Sequence, residues 1–266
     1  MDEGIFYKDG DSFVPRSTAC GPWDPNKLHG GPVAGLLAYA GLLEPLPSKF
    51  RIVRFGIDLL RPVPMKPLTV QMTPVRSGRR LILRDSELFC DGRLCARASI
   101  MMFSSVNHLP GGTHSTKELR PLPETLQSTH LSFPSASGEA GVGSGFSNTV
   151  DLRPVSGIKG QGEGSGWFRI PQPLVLGEPM LPVLRVATTA DFCNGVSQTL
   201  LNDQAFINTD INLQLFREPI GEWIGVKSKC DIFPEGAGWV NGQLFDTRGQ
   251  IGSVQQSVMA TERFRG

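Results

Sequence analysis

The sequence predicts an α+β fold of two similar halves, each a buried helix wrapped by a curled antiparallel sheet. Three observations lead there. One segment has helical length yet is apolar on nearly every side. A set of strand-like segments occurs twice in the same order. Between the two sets lies a stretch rich in Gly, Ser and Pro with little periodicity.

Taken in chain order, the first strong element is the helix Gly31–Leu43, in WDPNKLHGGPVAGLLAYAGLL, which carries no charge until Glu44. Pro32 suits a first helical turn, where a missing N–H costs nothing. A helix without a polar face must be covered on nearly every side, and a sheet curling around it provides that cover. Phe50–Arg61, FRIVRFGIDLLR, alternates as a strand. PLTVQMTPV follows, and then ILRDSELFCDGRLCARASIMM, two β-rich runs meeting at Asp91-Gly92, a hairpin signal. The stretch from 105 to 163 reads as a surface connection. It separates a first domain, 1–104, from a second, 164–266. In the second half a helix over about Asp191–Leu201 takes Asp191 as its N-cap. FINTDINLQLFR (Phe206–Arg217), GEWIGVKSKCDIF and GWVNGQLFDTRGQIGSVQQSVMA then repeat the earlier order. From Arg61 to Gly92 is 31 positions (92 − 61), and from Arg217 to Gly249 is 32 (249 − 217). Recurrence in that order and at that spacing indicates an internal duplication.

Composition narrows the function. With 26 Lys and Arg against 25 Asp and Glu in 266 residues, there is no basic field for nucleic acid. Five cysteines form no CxxC pair, and the four histidines show no zinc-ligand spacing, so neither a disulfide framework nor a metal site is expected. The thiols read as reduced, in a cytoplasmic protein. The start, MDEGIFYKDGDSF, lacks the basic and apolar regions of a signal peptide, and no apolar run has the length of a membrane span. The glycines of the connection fit no phosphate loop, and no GxSxG nucleophile elbow occurs.

At GPWDPNKLHGGPVAGLLAYA, IDLLRPVP and FCDGRLCARASI in the first half, and at ADFCNG, INTDINLQLFREPIGEW and LFDTRGQIGSVQQSVM in the second, the chain resembles the acyl-CoA thioesterase II family, the TesB-like double hotdogs. The resemblance covers most of the chain apart from the connection. It implies a double-hotdog fold, hydrolysis of an acyl-CoA or acyl-carrier-protein thioester without a cofactor, and association of such chains into homo-oligomers. It also implies a polar trio in the second half: an Asp at a helix start, a Thr or Ser on the next strand, and a Gln on the last strand. By motif these fall on Asp191, Asn208 and Gln255, with Asn208 standing where the family has a hydroxyl. Thr209 is adjacent, but alternation points it to the opposite face unless a bulge intervenes.

The residue chemistry is consistent with that assignment. Thioester hydrolysis needs a water polarised by an acceptor and donors aimed at the developing oxyanion. Asp191 is such an acceptor, and Asn208 and Gln255 are able to hold the water. Gly30 and Gly31 present backbone N–H groups at a helix N-terminus, with His29 at the rim. Aligning the two turn glycines places Ala98 opposite Gln255, so the halves contribute unequally. Two other readings remain open. Asp24-Pro-Asn26-Lys-Leu-His29 resembles the D-x-N-P-x-H signature of hotdog enoyl-CoA hydratases, with Lys27 in place of proline. Alternatively, the chain binds an acyl thioester without turning it over.

Overall fold

A computed structural model describes residues 4–22, 24–105, 117–130, 132–134, 140–142, 145–157, 162–197 and 205–261. The first half contains β1 (Phe6–Asp9), β2 (Ser12–Pro15), α1 (Gly30–Ala40), β3 (Phe50–Leu59), β4 (Leu68–Ser77), β5 (Leu81–Cys90) and β6 (Arg93–Ser104). A small hairpin of β7 (Ser132–Pro134) and β8 (Ala140–Val142) and the short helix α2 (Phe146–Thr149) follow. The second half holds β9 (Asp151–Gly157), β10 (Glu163–Arg169), α3 (Pro182–Ala190), α4 (Phe192–Val196), β11 (Ala205–Asn208), β12 (Asp210–Leu215), β13 (Trp223–Ile232), β14 (Ala237–Asp246) and β15 (Gly249–Thr261).

All strands but the small hairpin form one antiparallel sheet in the order β1-β2-β4-β5-β6-β3-β12-β15-β14-β13-β10-β9, with β11 also pairing β15. The order is palindromic about the β3–β12 seam, where Ile57 pairs Ile211 and Phe55 pairs Leu213. The duplication is therefore present in the topology, and the two halves meet as the subunits of a two-fold dimer do. α1 packs on β3–β6, α4 on β10, β11 and β13–β15, and α1 and α3 pack against each other. This is a double hotdog.

Nine of the eleven residues of α1 are buried, as its apolar composition requires. Its ends are completed by other elements. At the C-terminus the buried guanidinium of Arg84, on β5, donates to the carbonyls of Gly41 at 2.8 Å and Glu44 at 2.7 Å. The first hairpin turns on Asp91 and Gly92, both at positive φ, the geometry that matches strand twist. The second turns on Thr247 and Arg248, since Asp246 pairs Gly249.

Two expectations change. The second helix begins at Pro182, well before Asp191, which joins α3 to α4 in helical conformation and caps neither with its side chain. The end of that expected helix, 198–201, lies outside the described residues. The stretch read as a connection is structured where described. Leu119 packs with Trp167 and Phe245 on the outer face of the second half. Phe146 is buried in the main core, and β9 forms the sheet edge on β10.

Candidate active site

The seam between the halves opens at one end into a cavity of about 380 Å³. Its walls come from the loop before α1 (Lys27 to Gly30), the end of β3 and the loop after it (Leu59 to Val63), the start of α4 (Asp191, Phe192, Asn194 and Gly195) and β11 (Phe206 to Asn208). Polar groups gather at one spot, the N-terminus of α1.

Asp191 is the node. The residue is 8% exposed, and its carboxylate lies 2.9 Å from His29 Nδ1 through Oδ2. Oδ1 accepts a 2.7 Å hydrogen bond from Asn208 Nδ2. The Gly31 N–H points to the same place, 3.1 Å from His29 Nδ1. One ring nitrogen cannot both donate to the carboxylate and accept from the amide. The consistent assignment has Nδ1–H donating to Asp191, while the Gly31 N–H is directed at the carboxylate. Burial pushes the Asp191 carboxyl up. The charge of His29 in its imidazolium form and the hydrogen bonds from His29, Asn208 and Gly31 outweigh that and hold it below the ordinary carboxylate value. The positive end of the α1 dipole acts in the same sense.

The glycines are there for proximity. A Cβ on Gly30 would stand 2.5 Å from Asp191 Oδ1, and one on Gly31 would stand 2.7 Å from the Thr188 carbonyl. The two halves therefore meet backbone against carboxylate. The imidazole of His29 is held between Phe146 and Phe192, at centroid distances of 5.2 and 5.0 Å. Its Nε2 has no protein partner among the described residues, and His29 lines the cavity. The N–H of Gly30 is likewise unpartnered among them, whereas that of Gly31 is engaged. Only one of the two glycine donors is thus free for a substrate oxygen.

The residues expected from sequence are not all gathered here. Asp191, Asn208, His29 and Gly30 converge. Gln255 does not: it is exposed on the outer face of β15, and its neighbour Gln256 points inward, 1% exposed. Gln256 Nε2 donates to the carbonyl of Ala190, just ahead of Asp191, at 3.2 Å. Thr209 lies on the cavity wall, but its hydroxyl goes to the Ser257 carbonyl at 3.3 Å. A bulge is indeed present, since Asn208 pairs Val258 and Asn212 pairs Gln255, four residues against three. It keeps Asn208, rather than Thr209, inside. Sequence reading passed over Asn194, which lines the cavity, donates to the Phe206 carbonyl and leaves Oδ1 unpartnered. Its position three after Asp191, on the same helical face, was the available signal. Arg217 serves structure, bridging Asp246 with both terminal nitrogens. Lys27 and Arg61 stand at the cavity mouth. Among the described residues no cluster of His, Cys, Asp and Glu has the form of a metal site.

The model of the acyl-CoA thioesterase C-terminal domain matches residues 123–260, and that of the N-terminal domain matches residues 20–103. A hot dog fold protein of unknown function from Alicyclobacillus acidocaldarius superposes with a TM-score of 0.71 at 13% identity, over 96% of this chain and 95% of its own. The tesB protein of Mycobacterium avium subs paratuberculosis gives 0.68 at 15% identity, over 96% and 95%. The dehydratase domain from the CurJ module of curacin polyketide synthase gives 0.50 at 13%, over 88% and 83%. No curated protein matches by sequence.

Proposed function

Because the chain belongs to the acyl-CoA thioesterase family, we propose that it hydrolyses an acyl-CoA thioester by direct attack of water at the Asp191–His29 pair. The observation that carries this reading is the buried carboxylate fixed by three donors beside a partner-free imidazole nitrogen, on the wall of a largely apolar cavity. An acyl chain fits the apolar part, and the thioester carbonyl then lies near the start of α1. The free N–H of Gly30 and the helix terminus receive the developing oxyanion.

The oxygens of Asp191 are largely committed to His29, Asn208 and Gly31, so the base role passes from Asp191 to Nε2 of neutral His29. Nε2 removes a proton from water as the water oxygen bonds to the carbonyl carbon. Asp191 stabilises the imidazolium that results. When the tetrahedral intermediate collapses, the carbon–sulfur bond breaks and Nε2–H protonates the departing thiolate, giving acid and thiol. Asn208 and Gln256 are positioning residues, the first through the carboxylate and the second through the backbone ahead of it. No cofactor enters these steps.

The hydratase reading needs Asp24 to work with His29. Asp24 instead accepts from the backbone N–H of Asn26 at 2.8 Å, and His29 pairs with Asp191. Chromatography of CoA released from short, medium and long acyl-CoAs tests the proposal. Wild type should release CoA, and Asp191→Asn and His29→Gln should each lose about 10²–10⁴-fold in kcat. Full activity in His29→Gln with loss in Asp191→Asn would return the base role to Asp191. Hydroxyacyl-CoA from an enoyl-CoA, or an unchanged ligand throughout, would overturn hydrolysis. CoA is the thioester carrier of this reading, a cytoplasmic homo-oligomer its setting, and an acyl carrier protein the substrate to try if every acyl-CoA fails.

A further inference from the structure

The palindromic sheet has a single numerical key. Arg93 and Gly249 open β6 and β15, and Phe50 and Phe206 stand in β3 and β11, each pair 156 positions apart (249 − 93, 206 − 50). The bulges agree: Ile52 pairs Met102 ahead of a register shift, and Asn208 pairs Val258 ahead of another, again 156 apart at both positions. A seam with two-fold symmetry has two ends. The candidate active site occupies one, and a second cavity of about 220 Å³ occupies the other.

The second cavity is the first one's symmetry mate, residue by residue. Phe206, Ile207 and Asn208 of the first correspond to Phe50, Arg51 and Ile52 of the second. Leu59 corresponds to Leu215, and Val63 to Pro219. His29, preceding α1 with φ −68° and ψ 143°, corresponds to Leu181, preceding α3 with φ −59° and ψ 144°. The inward-facing Gln256 corresponds to the buried Ile100. Opposite three polar residues of the candidate site, His29, Asn208 and Gln256, the second half has Leu181, Ile52 and Ile100. The space itself has not been filled in. It is lined by Leu42, Leu46, Phe50, Ile52 and Leu215, and Leu181 at its mouth is 43% exposed.

We propose that this second cavity is a non-catalytic site for a short saturated acyl chain. The inference rests on the proposed function for the ligand class, since the mate of this cavity is the one assigned the acyl group. An apolar cavity of this kind holds water poorly and favours an alkyl occupant. Its volume is below that of pockets for drug-sized ligands, so the chain is short. Arg51 and Glu218 stand at the rim with opposite charges, so the cavity selects the chain rather than an anionic head. The chain arrives either on the thioester or as the released acid.

A diazirine-bearing octanoic acid and the matching non-hydrolysable octyl-CoA thioether, photolysed with the intact protein and mapped by peptide mass spectrometry, test this. Label is expected in Leu42–Ile52 and Leu181–Val183 as well as in the first cavity. Label from the acid identifies product as the occupant, and label from the thioether alone identifies substrate. Leu181→Asp places a carboxylate at the mouth, where it also suits the N-cap of α3, so the fold is retained. It should cut second-cavity label roughly tenfold or more, as an unpaired charge against an alkyl chain does, while hydrolysis is unchanged. Label confined to the first cavity, label indifferent to Leu181→Asp, or a cavity closed by a second copy of the chain in a sedimenting dimer would each overturn the proposal. Hydrolysis is read separately, so failure of the proposed function does not mimic failure of this site.

Discussion

At the scale of single residues, Asp191 joins electrostatics to chemistry. Its carboxyl is held below the ordinary value in the folded protein, so folding favours the ionised form. The stability this contributes is fully present above the unfolded-state pKa of about 4 and is lost as pH falls through the lower folded value. Thermal melts should therefore show wild type losing more stability between about pH 5 and pH 2 than Asp191→Asn does. An equal acid loss in both would remove Asp191 from the account. The two adjacent glutamines give a sharper contrast. Gln255→Ala should change stability by less than about 0.5 kcal/mol. Gln256→Ala strands the Ala190 carbonyl and should cost about 1–3 kcal/mol in denaturant titrations, with kcat falling as well. Asp191, Asn208 and His29 were legible in the sequence because each sits in a segment with a distinct pattern. The motif placed the glutamine on Gln255, whose side chain is on the exposed face, and matching Gly92 to Gly249 set Ala98 opposite it. The turns are Asp91-Gly92 and Thr247-Arg248, and a one-residue slip in a strand exchanges its faces.

At the scale of elements, α1 lacks charged residues because other elements bring them. Asp191 serves its first turn from the opposite half, and Arg84 serves its last carbonyls from β5. Helix ends need such partners when buried. Arg84→Met keeps the apolar stem and removes the donors, so it should destabilise by about 2–4 kcal/mol in urea unfolding, with m unchanged. A loss within about 0.5 kcal/mol would mean that water satisfies those carbonyls. The burial of α1 was readable from its composition, but its partners were not, since they come from strands and helices far along the chain. The start of the second helix was not legible because Pro182–Ala190 mixes Thr and Arg with apolar residues.

For the molecule as a whole, one core runs through both halves, and all five cysteines are buried in it or at its margin and unpaired. Burial raises the thiols of Cys20, Cys90 and Cys193, and pushes Cys230 up to about 11. The native chain should therefore react slowly with a thiol dye, releasing five equivalents only on unfolding, in a single phase if the halves unfold together. Rapid reaction of one or two thiols would show that a half opens by itself. The same burial makes dye-coupled detection of released CoA practicable. The fold class was legible because a duplicated order of segments survives sequence drift. The ordered part of the connection was not, because its Gly, Ser and Pro residues carry no period by which to read a strand.

A further consequence follows from placing both ends of the seam on one polypeptide. When two identical subunits meet, every codon change is enacted twice, and neither pocket is free to diverge. Here each position is inherited once, so Asn208 and Ile52 answer to different selection, although the same sheet geometry made both. On the proposed reading, a chain of this design keeps its catalysis at one end of the seam and is at liberty to innovate at the other.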